Sequence, residues 1–361
     1  MANITPQPGI MDIELYKGGK SHIPGRHDVL KLSSNENPWG PSPAAIDAAK
    51  ATLDELHLYP STDHASLRKA IGDAHGLDPD RLICGAGSDE VIGFLCQVFA
   101  GPGDEVLTHA HAFSMYRIYA QAHGATPVIA PETDRTVDVD ALLAAVTQNT
   151  KLVFITNPGN PTGTLLRTDE LTRLADGLPS HVVLVLDGAY AEFAEGFDGG
   201  SSLASQRPNV VMTRTFSKLY GLGGLRIGWG YAARNIIDML NRVRGPFNLS
   251  GTQLAAAEAA VKDIGFADHC VRETIRLRGK LIAGLASHKI ATDPSHANFV
   301  MARFKSEAQA VAADAHLQSN GIITRRVTGY GFPEALRITV PTAPDLDRLL
   351  SAFATLHEAA A

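Results

Sequence analysis

The sequence predicts an α/β protein: a large domain on a mainly parallel, doubly wound sheet, followed by a smaller α+β C-terminal domain. Three observations carry this. Through the middle of the chain, short β-branched runs alternate with helical segments, which is the signature of βαβ units. Two of the runs, KLVFIT and HVVLVLD, are apolar almost throughout, as expected of parallel strands covered on both faces. The length, 361 residues, corresponds to roughly two domains at about 150 residues each, with ample apolar material for a sizeable core.

The elements follow in order. Residues 1–43 are rich in Pro, Gly and Asn, end in SSNENPWGPSP, and read as an N-terminal arm or irregular loop lying on the body. The large domain is expected over 44–248. It opens after Pro43 with a helix, AAIDAAKATLDEL, whose apolar residues recur at three and four; LYPST breaks it. An apolar run then meets Gly85-Ala86-Gly87, and Ser88-Asp89-Glu90 opens an apolar helix. Strands are expected at DEVLTH, TPVIA, KLVFIT, HVVLVLD, NVVMTR and RIGWGYA, with helices in DVDALLAAVTQ and TDELTRLADGL. Gly245 and Pro246 interrupt a helical pattern at RVRGPFNLS. The small domain, 249–361, starts with the Ala-rich helix TQLAAAEAAVKDI and continues into the mixed segments ANFVMARF and ALRITVP.

Composition excludes several classes of function. Lys plus Arg total 32 and Asp plus Glu total 38, a formal charge of −6, so the basic field that holds DNA or RNA is lacking. The three cysteines, Cys84, Cys96 and Cys270, are odd in number and show no CxxC spacing, which argues against a disulfide framework or a structural zinc site. No run approaches the length of a membrane span and the N-terminus lacks a cationic start followed by an apolar stretch, so a cytoplasmic location is expected.

In an open parallel sheet, ligands bind beyond the carboxyl ends of the strands, so polar residues just after each strand are the first candidates. KLVFIT runs into Asn157-Pro158-Gly159-Asn160-Pro161-Thr162-Gly163, HVVLVL into Asp187-Gly188-Ala189-Tyr190, and NVVMTR into Thr215-Phe216-Ser217-Lys218. Taken alone, Asp187 reads equally as a helix cap and Lys218 as a surface lysine. Their company separates them from those readings: Lys218 sits among hydroxyls, glycines follow at 221, 223 and 224, and then comes Arg226. A lysine amine attacks carbonyls once its ammonium is destabilised, and a guanidinium beside hydroxyls suits a phosphate. Gly85-Ala86-Gly87 before Ser88 offers backbone N–H groups for the same phosphate, although a capping box without ligand fits that stretch as well. It is no dinucleotide fingerprint, because the third glycine of GxGxxG is absent. Together these parts describe a site for pyridoxal phosphate: a lysine for the aldehyde, a carboxylate for the pyridine nitrogen, a phenol for the ring oxygen and a phosphate cup.

Seven ordered motifs, LSSNENPWGPSP, YPST, GSDE, NPGNPTG, DGAYAEF, TFSKLYGLGGLRIGW and YGFPEALRIT, give the chain a resemblance over nearly its whole length. It resembles the fold-type I aminotransferases, and among them the histidinol-phosphate aminotransferase family. The resemblance implies that Lys218 bonds the cofactor aldehyde, Asp187 faces the pyridine nitrogen, and Tyr190 and Asn160 bind the ring oxygen. It implies that Phe113 stacks on the ring and that Ser88, Asp89, Thr215, Ser217 and Arg226 hold the phosphate. Tyr59 of the YP motif is implied to reach the site of a neighbouring subunit, hence a homodimer. Arg337 matches the arginine that grips the substrate anion. Arg325 and Tyr16 match residues that favour histidinol phosphate as amino donor, with 2-oxoglutarate as acceptor. The chain departs from the usual pattern at Gly188, where Glu is common, at Ala86, where Asn is frequent, and in HAHAF, which lacks a proline before the aromatic. Within the same fold an aromatic amino acid aminotransferase or a phospho-amino-acid decarboxylase uses nearly the same residues. From another class, His109-Ala110-His111 after a strand suggests a metal-dependent hydrolase, but the remaining histidines are scattered and no metal is expected.

Overall fold

The computed structural model describes residues 4–16 and 18–356. In chain order its strands are β1 (Leu30–Lys31), β2 (Leu82–Gly85), β3 (Glu105–His109), β4 (Thr126–Ala130), the hairpin β5 (Glu132–Thr133) and β6 (Thr136–Val137), β7 (Thr150–Thr156), β8 (Val183–Asp187), β9 (Val210–Thr215), β10 (Gly228–Tyr231), β11 (Ala291–Thr292), β12 (Phe299–Arg303), β13 (Ile322–Ile323), β14 (Arg325–Val327) and β15 (Phe332–Thr339). Seven form the large sheet, in the order β2-β10-β9-β8-β7-β3-β4. The continuous apolar runs are explained by burial on both faces: in β7, Leu152 and Phe154 join one core while Val153 and Ile155 join the other.

The pairs β9–β8, β8–β7, β7–β3 and β3–β4 are parallel, as expected. β10 differs, running antiparallel to both β9 and β2. The link from Thr215 to Gly228 carries only a 3-10 turn, Gly223–Leu225, where a parallel return needs a crossover that is usually a helix.

The smaller sheet, β11-β12-β15-β14, is antiparallel. Val300, Ala302, Leu336 and Ile338 of its strands share a core with Leu277, Leu281 and Leu285 of the long helix Ile264–Ser287. Part of the N-terminal segment belongs here: β1 pairs in parallel with β13, and Leu32 enters the same core. The helix Gly251–Lys262 packs on the helices Pro43–Ala51 and Ala65–His75, and its Ala256, Ala257, Ala260 and Val261 lie in the large-sheet core. We therefore propose that the two domains divide within the helix Ile264–Ser287, later in the chain than residue 249. Among the described residues no helix is long and apolar enough to cross a membrane.

Candidate active site

The strands β7, β8 and β9 end at one cavity of about 510 Å³, with walls from both sheets. Asn160 reaches it from the loop after β7, Asp187 from the last residue of β8, Tyr190 from the turn beyond, and Thr215, Ser217 and Lys218 from the end of β9. Ser88, Asp89, Phe113 and Arg226 continue the wall. Arg325 on β14, Arg337 on β15 and the exposed Tyr16 close it from the other side. Of the residues singled out in the sequence as site residues, Tyr59 alone lies elsewhere: it is exposed and stacks on Phe247, with ring centroids 4.5 Å apart.

Two groups set the electrostatics. Lys218 Nζ donates to the Ser34 carbonyl at 3.0 Å and lies 5.8 Å from the centroid of the Tyr190 ring. Burial, and then the Arg337 charge, lower its pKa to about 7, so near neutral pH much of the amine is uncharged. Burial pushes the Asp187 carboxyl up from its ordinary value, against donation from Tyr116 Oη at 2.6 Å, Thr213 Oγ1 at 3.1 Å and the Ala189 N–H. A carboxylate so placed gains from a cation on its open side.

The helix Ser88–Phe99 starts at Gly87 with no side-chain cap, so the capping-box alternative is not formed. Glu90 instead accepts from the Ala86 N–H and from Asn248 Nδ2, each at 2.7 Å. The first N–H groups of the helix are thus left for an anion where Ser88 and Asp89 line the cavity. On the same wall Arg226 Nη1 donates to Ser217 Oγ at 3.1 Å, and Thr215 Oγ1 donates to Ser217 Oγ at 2.9 Å. Two glycines permit this approach. Gly87 has φ +83° and a Cβ there would lie 2.7 Å from Arg226 Nη2; at Gly228 a Cβ would lie 2.1 Å from the Ser88 nitrogen.

Arg325 and Arg337 stand opposite each other in register on adjacent strands, so both guanidiniums lie on one face. Like charges so placed repel, and an anion between them removes the repulsion. Arg337 is buried, donating to Asn160 Oδ1 at 2.5 Å and to the Ser33 carbonyl at 2.9 Å, while its Nε has no partner.

Several cavity residues escaped the sequence reading. Asn35, at φ +56°, donates through Nδ2 to Tyr190 Oη at 3.0 Å, which leaves the phenol proton of Tyr190 free for another acceptor. Tyr330 and Thr156 also line the cavity. The HAH pair is engaged elsewhere: His109 Nδ1 donates to Glu132 Oε1 and His111 Nδ1 to the Tyr330 carbonyl, both at 2.6 Å. Gly188 also has a reason, since a Cβ there would lie 3.1 Å from Arg214 Cδ, and Arg214 pairs with Glu192 at 2.9 Å.

The profile of the family described as aminotransferase class I and II matches residues 27–353. The chain is 61% identical over 361 residues to the histidinol-phosphate aminotransferase of Ruegeria pomeroyi, covering 100% of each. It is 62% identical over 351 residues to that of Roseobacter denitrificans, covering 97% of this chain and 98% of the relative. The chain belongs to the histidinol-phosphate aminotransferase family, within the class I and II aminotransferases. Among solved structures it is similar to the histidinol-phosphate aminotransferase of Sinorhizobium meliloti in complex with pyridoxal-5'-phosphate, with a TM-score of 0.89 and 26% identity, covering 100% of this chain and 99% of that one. The aspartate aminotransferase of Thermus thermophilus shares the fold, with a TM-score of 0.79 at 21% identity, covering 91% of this chain and 92% of that one.

Proposed function

We propose that this chain binds pyridoxal phosphate in the cavity at the ends of β7, β8 and β9 and transfers the amino group of histidinol phosphate to 2-oxoglutarate, a step of histidine biosynthesis. The observation that carries the reading is the convergence, in one cavity, of a buried lysine whose pKa is lowered to about 7, a buried carboxylate and a facing pair of arginines.

The residues fit the cofactor. Asp187, buried and short of a cation, suits a protonated pyridine nitrogen, and the glycine-lined helix start with Arg226 suits the phosphate. Phe113 supplies an apolar wall for the ring, and Tyr190 and Asn160 supply polar groups for its oxygen. When bound, pyridoxal phosphate supplies an aldehyde that takes up an amino group and a ring that accepts the electron pair left when the α-proton is removed. Lys218 Nζ would hold the cofactor through its aldehyde and, as an amine with a pKa of about 7, could take up a proton from the substrate α-carbon and return it. Asp187 keeps the ring nitrogen protonated, which is what makes the ring an electron sink. Arg337 and Arg325 hold a phosphate in one half-reaction and a carboxylate in the other, since the guanidinium fork matches both.

We further propose a homodimer in which Tyr59 reaches the neighbouring site. Tyr59 is 83% exposed beside exposed Leu56 and Leu58, an apolar surface suited to burial against another copy. The three cysteines are buried and free, which accords with a reducing cytoplasm.

Single-turnover spectra test the substrate. Histidinol phosphate should convert the aldehyde form of the bound cofactor to the amine form at least about a hundredfold more efficiently than phenylalanine or tyrosine, because a phosphate brings more charge and one more acceptor oxygen to the facing arginine pair than a single carboxylate does. Addition of 2-oxoglutarate should restore the aldehyde form. Conversion by phenylalanine alone would replace this reading with an aromatic aminotransferase.

A further inference from the structure

Behind Asp187 lies a chain of hydrogen bonds that the roles above leave unused, and it ends on the HAH motif. Tyr116, fully buried on the helix Met115–Ala122, donates to Asp187 Oδ2 at 2.6 Å. Its single proton being committed there, the 2.7 Å contact with Thr156 Oγ1 has the threonine as donor. The Thr156 N–H donates in turn to His109 Nε2 at 3.4 Å, and His109 Nδ1 donates to Glu132 Oε1 at 2.6 Å. These roles put the histidine proton on Nδ1, where Glu132 fixes it. Burial raises the Glu132 carboxyl, but the hydrogen bond from His109 and the further electrostatic and N–H contributions of His109 and His111 together outweigh it and leave the group below its ordinary value. The Tyr116 ring is itself held, stacked on Phe154 at 4.7 Å and edge-on to Phe113 at 5.8 Å.

We propose that Tyr116, backed by Thr156 and the His109–Glu132 pair, is the positioning residue that keeps Asp187 ionised and fixes which of its oxygens faces the pyridine nitrogen. The proposal rests on the reading of Asp187 given above. Burial alone favours the neutral acid, and a neutral acid cannot hold a proton on the ring. A phenol donor on one oxygen, with Thr213 on the other, opposes burial without outweighing it, so that a cation at the open side completes the ionisation, and leaves the remaining lone pairs for the cavity. The other titratable groups whose charge reaches this carboxylate or its phenol partner, Asp89 and Tyr190, are untouched by the variants below.

The test is a pH titration of the visible band of the holoenzyme. A proton on the ring nitrogen lowers the midpoint of that band, because one positive charge opposes a second nearby. Tyr116→Phe should raise the midpoint by about half a unit or more and lower kcat about tenfold, with KM nearly unchanged. Thr156→Val should shift it in the same direction by less, and Thr156→Ser should restore it. Asp187→Asn is the reference arm. If Asp187→Asn raises the midpoint and Tyr116→Phe leaves it at the parent value, the relay is overturned and the reading of Asp187 stands. If Asp187→Asn also leaves it unmoved, that reading fails first. Should Tyr116→Phe not fold, the threonine pair decides: equal midpoints for Val and Ser overturn the proposal, and a shift in Val alone supports it.

Discussion

At the scale of single residues, the amine of Lys218 governs the site. Burial and the Arg337 charge both disfavour its ammonium form, so its pKa falls from the usual lysine value to about 7. The neutral amine is the nucleophile, and it is the species above that pH. The rate at which cofactor-free protein takes up pyridoxal phosphate should therefore rise between about pH 6 and 8 with a midpoint near 7 and level off above it, followed as growth of the visible band. Lys218→Ala should remove the band and lower turnover by roughly three or more powers of ten. Uptake that keeps rising about tenfold per pH unit through that window and does not level off would show that the amine keeps an ordinary lysine pKa. Lys218, Asp187 and Asn160 were legible in the sequence because each follows an apolar run that a parallel sheet must bury, and polar residues there face a crevice. Tyr116 was not legible. In MYRIYAQA it reads as a core aromatic, and its partner Asp187 lies 71 positions away, a pairing that only the folded chain brings about.

At the scale of elements, the phosphate cup depends on how closely β10 and the helix start at Ser88 approach. Gly228 lets the β10 backbone pass against the Ser88 nitrogen, and Gly87 turns the chain in the left-handed region beside Arg226. Gly87→Ala should cost about 1–3 kcal/mol in strain and displace Arg226, so cofactor affinity falls about tenfold or more while the rest of the large sheet is retained. Fluorescence titration of the cofactor-free variant with pyridoxal phosphate measures it, and an unchanged Kd would mean that the cup is made elsewhere. The glycines were visible as a loop signal, yet the choice between capping box and anion site rested on Glu90, which turned out to serve Ala86 and Asn248. Strands buried on both faces declare themselves by composition. The direction of β10 does not, because it is set by what the linking segment can span, and the two-residue β1 is too short to carry a pattern.

At the scale of the whole molecule, the cavity lies where the two sheets meet and is held by bonds that cross between them. Arg337 of β15 donates to Asn160 beyond β7, while the N-terminal Asn35 donates to Tyr190 through its side chain and to Thr339 through its backbone. Tyr59, which we propose as part of a neighbouring site, has no place in this arrangement within a single chain. Tyr59 does not line its own cavity; it is exposed, as are Leu53, Leu56 and Leu58, and is stacked on Phe247. If it completes a neighbour's site, each functional centre draws Lys218 from one subunit and Tyr59 from the other, and a symmetric pair contains two such centres. Mixing Lys218→Ala with Tyr59→Ala then has a distinctive result. Each mixed dimer contains one centre with both residues intact and one with both altered, so statistical reassortment should restore about a quarter of parental activity when cofactor is limiting. Neither variant alone approaches that level, since Lys218→Ala lacks the amine and Tyr59→Ala loses cofactor. A reassorted mixture no more active than its separate components, with dimers verified by sedimentation, would place Tyr59 outside the shared site. A monomer in the same measurement would remove the dimer itself.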